Sequence, residues 1–294
     1  MKKLVVLFVA IAMFAVLNAF AADINVIMPV LDSAKQSIDS TLSGIDKDLK
    51  AAAKELSSTD LKGAAARKIL NNLIKYRPYV IDCSIIDANG IKITVEPAEY
   101  KQFEGADRSG LQSVTSLLKE KIPVMSDVYH SAEGIHAISI GYPIFSDKGD
   151  LLGAVRMLIR HEVFLKPLVE DQPCKIWVMQ KNGLIVYDSD PEEIGKNIFF
   201  DSMFKPFEAL IAFSMTVAAA HDGAGSYNFY ADRPKDNTFV QKIAAWDTAG
   251  LYGTEWRVIA MEVGKTLTQP PAPEAEKGKT ATEAPPVAQK APAK

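Results

Sequence analysis

The spacing of apolar positions in the first quarter of the chain draws one long helix. Ile38, Leu42, Ile45, Leu49, Ala52 and Leu56 alternate separations of four and three residues, which puts them on a single face. Ser57-Ser58-Thr59-Asp60 interrupts the pattern and offers capping side chains for a second helix, Leu61 to Lys75. Pro78 stops that helix, because the residue before a proline is pushed out of the helical region. The plain use of the stripe is to pack on the chain's own sheet. The alternative use is the seam of a homodimer formed through this N-terminal helix.

The period then changes to that of strands, and one pattern occurs twice. Cys83 to Pro97 and Cys174 to Pro191 each read as a β-rich run, an Asn-Gly pair, a second β-rich run, an acidic residue and a proline. Asn-Gly between apolar runs is a strong hairpin signal, since both residues accept the positive φ of a tight turn. Asn89-Gly90 and Asn182-Gly183 therefore open two successive modules. Cys83 and Cys174 fall early in corresponding strands of separate modules, so they are expected apart and unpaired.

After the first hairpin the pattern predicts a helix over Ser109–Lys121 and a strand over Ile135–Phe145. A turn at Asp147–Asp150, a strand over Leu151–Arg160 and a linking helix over His161–Glu170 follow. The second module has a helix over Asp201–Ala220 and strands over Ser226–Ala231, Thr238–Trp246 and Glu255–Val263. The expected fold class is α+β: two tandem PAS-like modules with antiparallel sheets, preceded by the long helix. The expected boundaries are a helical segment at 22–76, a first module at 77–170 and a second at 171–266.

Two terminal segments stand apart. Lys2 and Lys3, the apolar run Leu4 to Leu17, and Ala19-Phe20-Ala21 form a signal peptide over 1–21, with cleavage expected after Ala21. The run lies within the roughly 7–15 residues of a signal core and short of the roughly 20 that span a bilayer. The mature protein is expected in the periplasm or secreted, an uncleaved anchor being the alternative. From 267 to 294 the chain turns to Pro, Ala, Lys and Glu without aromatics, the composition of a disordered tail. The net charge of −3 gives no basic surface for nucleic acid, so none is expected as a partner.

Three stretches resemble the double Cache family of extracytoplasmic sensor domains. They are Ile122 to Tyr129, the hairpin Ser139 to Val155 with Tyr142-Pro143-Ile144-Phe145 and Gly149, and Asn182-Gly183 with Asp190-Pro191 and Ile194 to Asn197. The resemblance covers most of residues 24 to 263. It implies that the first, membrane-distal module binds a small molecule and that the long helix carries the signal to a membrane output. Where that family's membrane helix and signalling domain usually follow, this chain has its Pro/Ala tail. A membrane-bound signalling partner is therefore expected to receive the bound state.

The resemblance places a distal pocket beside Ser126 to Tyr129 and one face of the following sheet. Asp127, Tyr129, His130, Ser139 and Tyr142 are its candidate ligand-binding residues, as rigid polar groups on apolar bodies. Arg108 and Arg156 are candidates to pair a carboxylate bidentately. Ala137, Ser139 and Gly141 share the small-residue face of their strand, which admits either a ligand or the long helix; His136, Ile138, Ile140 and Tyr142 share the other. Amino-acid-binding members of the family use an aspartate near the end of the Gly-Val strand. Leu158 stands at that position here, which points to a carboxylate or another small metabolite.

No catalytic motif, metal site or cofactor is expected. There is no G-x-S-x-G elbow and no H-E-x-x-H helix. His130 and His136 flank a turn and can meet across it, but lack a third ligand. Asp188, Asp190, Glu192 and Glu193 read as a solvated acidic loop. A second reading of the whole chain is a structural or interaction module with an occluded pocket.

Overall fold

The computed structural model describes the backbone of residues 2–233 and 235–268 and the side chains of 24–233 and 235–268. The expected signal segment and the tail from residue 269 onward lie outside those described side chains. Among the described residues no helix is long and apolar enough to cross a membrane.

One long helix, α1 (Lys2–Leu56), packs against both sheets and is followed by α2 (Ala64–Ile74). The first sheet is formed by β1 (Val80–Asp87), β2 (Lys92–Glu96), β3 (Val124–Met125), β4 (Tyr129–His130), β5 (His136–Phe145) and β6 (Leu151–Ile159). Its order is β2-β1-β6-β5-β3, with β4 also pairing on β5, and the pairs are antiparallel. A short helix, α3 (Gln112–Thr115), with a wider turn at Ser116–Glu120, lies between β2 and β3. After the linking helix α4 (His161–Val169), β7 (Lys175–Gln180), β8 (Ile185–Tyr187), β9 (Gly223–Asp232), β10 (Asp236–Leu251) and β11 (Thr254–Thr266) make the second sheet, ordered β8-β7-β11-β10-β9. Helix α5 (Glu208–Ala219) covers its far face. The α+β fold and both Asn-Gly hairpins are as expected.

The a/d stripe is consumed inside the chain. Ile38, Leu42, Ile45, Leu49 and Leu56 are buried in a core that they share with Ile85, Val155 and Met157 of the first sheet. The same core contains Val178, Ala245 and Val258 of the second sheet, so α1 covers both sheets rather than the first alone. Cys83 and Cys174 are buried in that core as free thiols, Cys174 Sγ donating to Glu262 Oε1 at 3.0 Å.

Three helix boundaries differ from expectation. Helix α2 starts at Ala64 after a Gly63 N-cap, because the Asp60 carboxylate turns back to accept the Lys62 amide instead of capping. The expected helix over Ser109–Lys121 shortens to α3 plus one wide turn, ending where Lys121 takes a left-handed conformation. The expected helix from Asp201 begins only at Glu208, since residues 201–207 form tight turns up to Pro206 and Phe207.

Candidate functional site

Strand alternation sorts each strand of the first sheet into an apolar face and a polar one. On β1, Cys83 and Ile85 meet α1, while Asp82 and Ser84 point the other way. On β6, Val155, Met157 and Ile159 join the core, while Arg156 and Leu158 face away. On β5, Ile138 and Ile140 join the core and leave Ser139 on the opposite side. The small-residue face of β5 is thus turned from the long helix. At Gly141 an added Cβ would lie 2.7 Å from Leu117, so the Ser116–Glu120 turn approaches this face closely.

Above that polar face lies a cavity of about 220 Å³. Its floor is Asp82, Ser84, Lys92, Ser139, Arg156 and Leu158; its roof is Arg108, Leu111 and the segment from Tyr129 to Glu133. Arg156 is 4% exposed. Its Nη2 donates to Ser139 Oγ at 2.9 Å and weakly to Tyr129 Oη at 3.4 Å. Among the described residues no carboxylate lies in salt-bridge range of Arg156, and its Nε has no protein partner. Lys92, by contrast, is held twice: its Nζ donates to Asp82 Oδ2 at 3.1 Å and to Glu133 Oε1 at 2.9 Å. Asp82 Oδ1 and Ser131 Oγ are also buried without a protein partner.

Burial lifts the Asp82 carboxyl above its ordinary value, with the Lys92 charge opposing. At Glu133 burial acts in the same sense, but the charge and hydrogen bond of Lys92 outweigh it and hold that carboxyl below its ordinary value. Lys92, Arg108 and Arg156 set three cations against the two carboxylates, an excess of one positive charge facing the cavity.

The seven candidate residues divide. Arg108, Tyr129, His130, Ser139 and Arg156 line this cavity. Tyr142 does not; it stands on the opposite face of β5, packed against the main core, as its alternation with Gly141 dictates. Asp127 points elsewhere too, its carboxylate accepting from Gln180 Nε2 at 2.5 Å. His130 and His136 do meet, edge to face at 5.4 Å. Among the described residues no group of three side chains is arranged to hold a metal ion.

Sequence reasoning missed Asp82, Lys92 and Glu133. The signal for Asp82 was present, since it alternates with Cys83 and Ile85 in a strand whose other face is core. Asp82 is moreover the cross-strand partner of Leu158, so a carboxylate stands beside the position where the resemblance found none.

Two further cavities lie nearby. One of about 350 Å³ separates the two sheets' loops, shares Leu111 and Tyr129 with the first cavity, and is bordered by Tyr252, Gly253 and Thr254 of the β10–β11 turn. Thr254 Oγ1 donates to the Met125 carbonyl at 2.6 Å, and the Val128 amide donates to Gln180 Oε1 at 3.1 Å. The other, beside the second sheet, measures about 30 Å³, room for about one water. It holds the buried Lys242 and Glu193; burial drops the first to about 8 and lifts the second to about 8. The acidic cluster is therefore not a solvated loop: Asp190 is buried and pairs with Arg233 at 2.9 Å, because Arg233 folds back over it.

Residues 40–161 match the sequence profile of the HK/GC/Chemotaxis protein-like sensor domain. An extracellular ligand binding receptor from Desulfohalobium retbaense is similar at 28% identity and a TM-score of 0.66, over 79% of this chain; the match spans only 39% of that receptor. The ligand-binding domain of the Campylobacter jejuni chemoreceptor Tlp3, solved with 4-methylisoleucine, shares the fold at 12% identity and a TM-score of 0.60, over 83% of this chain and 92% of that one. The ligand-binding domain of the Pseudomonas aeruginosa amino acid chemoreceptor PctC, solved with GABA, shares it at 15% and 0.56, over 80% and 96%. No curated protein sequence matches the chain. Residues 40–161 are thus similar to the HK/GC/chemotaxis protein-like sensor domains, and the chain as a whole has the double Cache fold.

Proposed function

We propose that this protein senses a small carboxylate outside the cytoplasmic membrane, binding it in the cavity of the first module and passing the bound state to a membrane partner. The observation that carries this reading is Arg156, a buried guanidinium facing a cavity with one excess positive charge and no carboxylate of its own. A buried charge without a salt-bridge partner is costly, and a carboxylate bound against the guanidinium removes that cost. Tyr129, Arg108 and His130 lie close enough in the wall to complete the shell.

The ligand also carries a hydrogen-bond donor. Asp82 Oδ1 and Ser131 Oγ are buried acceptors in the same cavity, and a hydroxyl or ammonium group satisfies them. A hydroxy- or amino-carboxylate is the class that answers both ends. PctC and Tlp3, with GABA and 4-methylisoleucine, are precedents on the same fold.

The modules at 77–170 and 171–266 divide the work. The cavity beside the second sheet has room for about one water, which suits a transmission element. Met125–Thr254 and Asp127–Gln180 tie the segment just ahead of Tyr129, which does line the ligand cavity, to the second module, and α1 underlies both. A ligand shifts this assembly only by binding its two states with different affinity.

The test is a thermal-shift screen of hydroxy-, amino- and unsubstituted carboxylates, amines and purines. A ligand at 100 times its dissociation constant stabilises by about 2.7 kcal/mol. The expected result is a carboxylate hit that Tyr129→Phe weakens. Hits confined to amines or purines, or none at all, would contradict the reading.

A further inference from the structure

The ion pair between Lys92 and Glu133 has an unusual span. Lys92 belongs to β2, at one edge of the first sheet, and Glu133 to the turn after β4, at the other. Strands lie about 4.8 Å apart, so from β2 to β5 the contact reaches over roughly 14 Å of sheet. Both side chains are nonetheless enclosed, at 3% and 4% exposure. The pair thus closes the cavity from edge to edge.

Besides that pair, the turn is anchored at its end, where Ile135 packs against the cluster of Ile81, Ala137 and Leu158. β4 contributes a two-residue ladder to β5. Within the turn the Ser131 amide donates to the Ile135 carbonyl and the Gly134 amide to the Ser131 carbonyl. Gly134 takes φ 84° and a Cβ there would meet nothing within 4 Å, so the tip stands clear of the body. Behind the turn lie the unpartnered atoms Asp82 Oδ1 and Arg156 Nε. An enclosed charged pair offsets its desolvation only while the partners stay together, which makes it a switchable contact.

We propose that Glu133 is an internal carboxylate ligand of Lys92, which latches the Ser131–Ile135 turn as a lid and which an external carboxylate can replace. The inference rests on the reading of the cavity as a carboxylate site and adds where a second anion subsite lies. Lys92 then discriminates occupants by charge, and the lid's release becomes the event that exposes the cavity.

Glu133→Ala tests the subsite with acetate as the probe, against acetamide and against chloride at equal ionic strength. Glu133→Ala is expected to melt lower than the wild type in chloride and to regain roughly 3 °C in acetate beyond any wild-type response, but nothing in acetamide. Equal responses to acetate and acetamide, or none, would overturn the proposal. Repeating the measurement in Glu133→Ala with Arg156→Met separates it from the carboxylate reading: the acetate gain persists if Lys92 holds the anion and vanishes if Arg156 does, which would sink the subsite. Should the alanine variant not fold, Glu133→Gln, of the same shape, decides. Its turn amides should exchange hydrogen roughly tenfold faster than in the wild type, and unchanged exchange would refute the latch.

Discussion

Arg156 and Lys92 reach the same cavity with opposite states: the first has no carboxylate in salt-bridge range among the described residues, the second has two. Of these only Arg156 was legible in the sequence, because it follows the Gly153-Ala-Val155 stretch of a recognisable hairpin. Lys92 sits two residues after an Asn-Gly pair, where a lysine ordinarily reads as solvent-facing, and its partner Glu133 lies 41 residues on. Such pairings depend on strand order, which residue types do not encode. Glu193 makes the same point in the second module. Burial raises its carboxyl from 4.5 to about 8, with the nearby Asp188 and Asp190 adding to the shift and Arg233 and Lys242 opposing it. Between those values the folded protein holds a proton that the unfolded chain has released, so stability falls as pH rises through that window. Lys242, lowered from 10.5 to about 8, acts in the opposite sense above pH 8. Asp188, lifted by burial from 3.8 to about 6, acts in the same sense only below pH 6, so melting temperatures followed from pH 6 to 8 should decline in the wild type and flatten in Glu193→Gln; parallel curves would refute the assignment.

Elements were read best where one local signal set them. Both Asn-Gly hairpins, the Asp147–Asp150 turn and the linking helix α4 fall where pattern predicts them. Helix starts were read worst, because a polar run such as Ser57–Asp60 offers several caps and packing chooses among them. One strand position is set by close approach rather than by pattern. Gly153 has φ 152°, and a Cβ there would lie 2.1 Å from the Ile86 carbonyl oxygen across the β1–β6 ladder. Gly153→Ala should therefore cost more than about 2 kcal/mol in urea unfolding, well above an ordinary surface change. A loss under about 0.5 kcal/mol would show that the ladder yields without strain.

At the scale of the whole molecule, α1 is the shared wall of both sheets, and its period announced a buried stripe without saying how many sheets it served. Leu42 lies at 0% exposure in the joint core. Leu42→Ala should cost about 2–5 kcal/mol. Circular dichroism and the fluorescence of Trp177, Trp246 and Trp256 should still report one coincident unfolding transition, since one core joins both sheets; separated transitions would contradict a single shared wall. That architecture gives a cavity on the first sheet a mechanical route to the second, through α1 and the contacts of Gln180 and Thr254.

The most direct measurement of the central claim is calorimetric titration of the best carboxylate from the screen into the wild type and into Arg156→Met. The account predicts saturable one-site binding to the wild type and a loss of at least about tenfold in affinity when the guanidinium is removed, as expected for a charge-assisted pair. Equal affinity in the two proteins would contradict it, and would move the ligand away from the polar face of the first sheet.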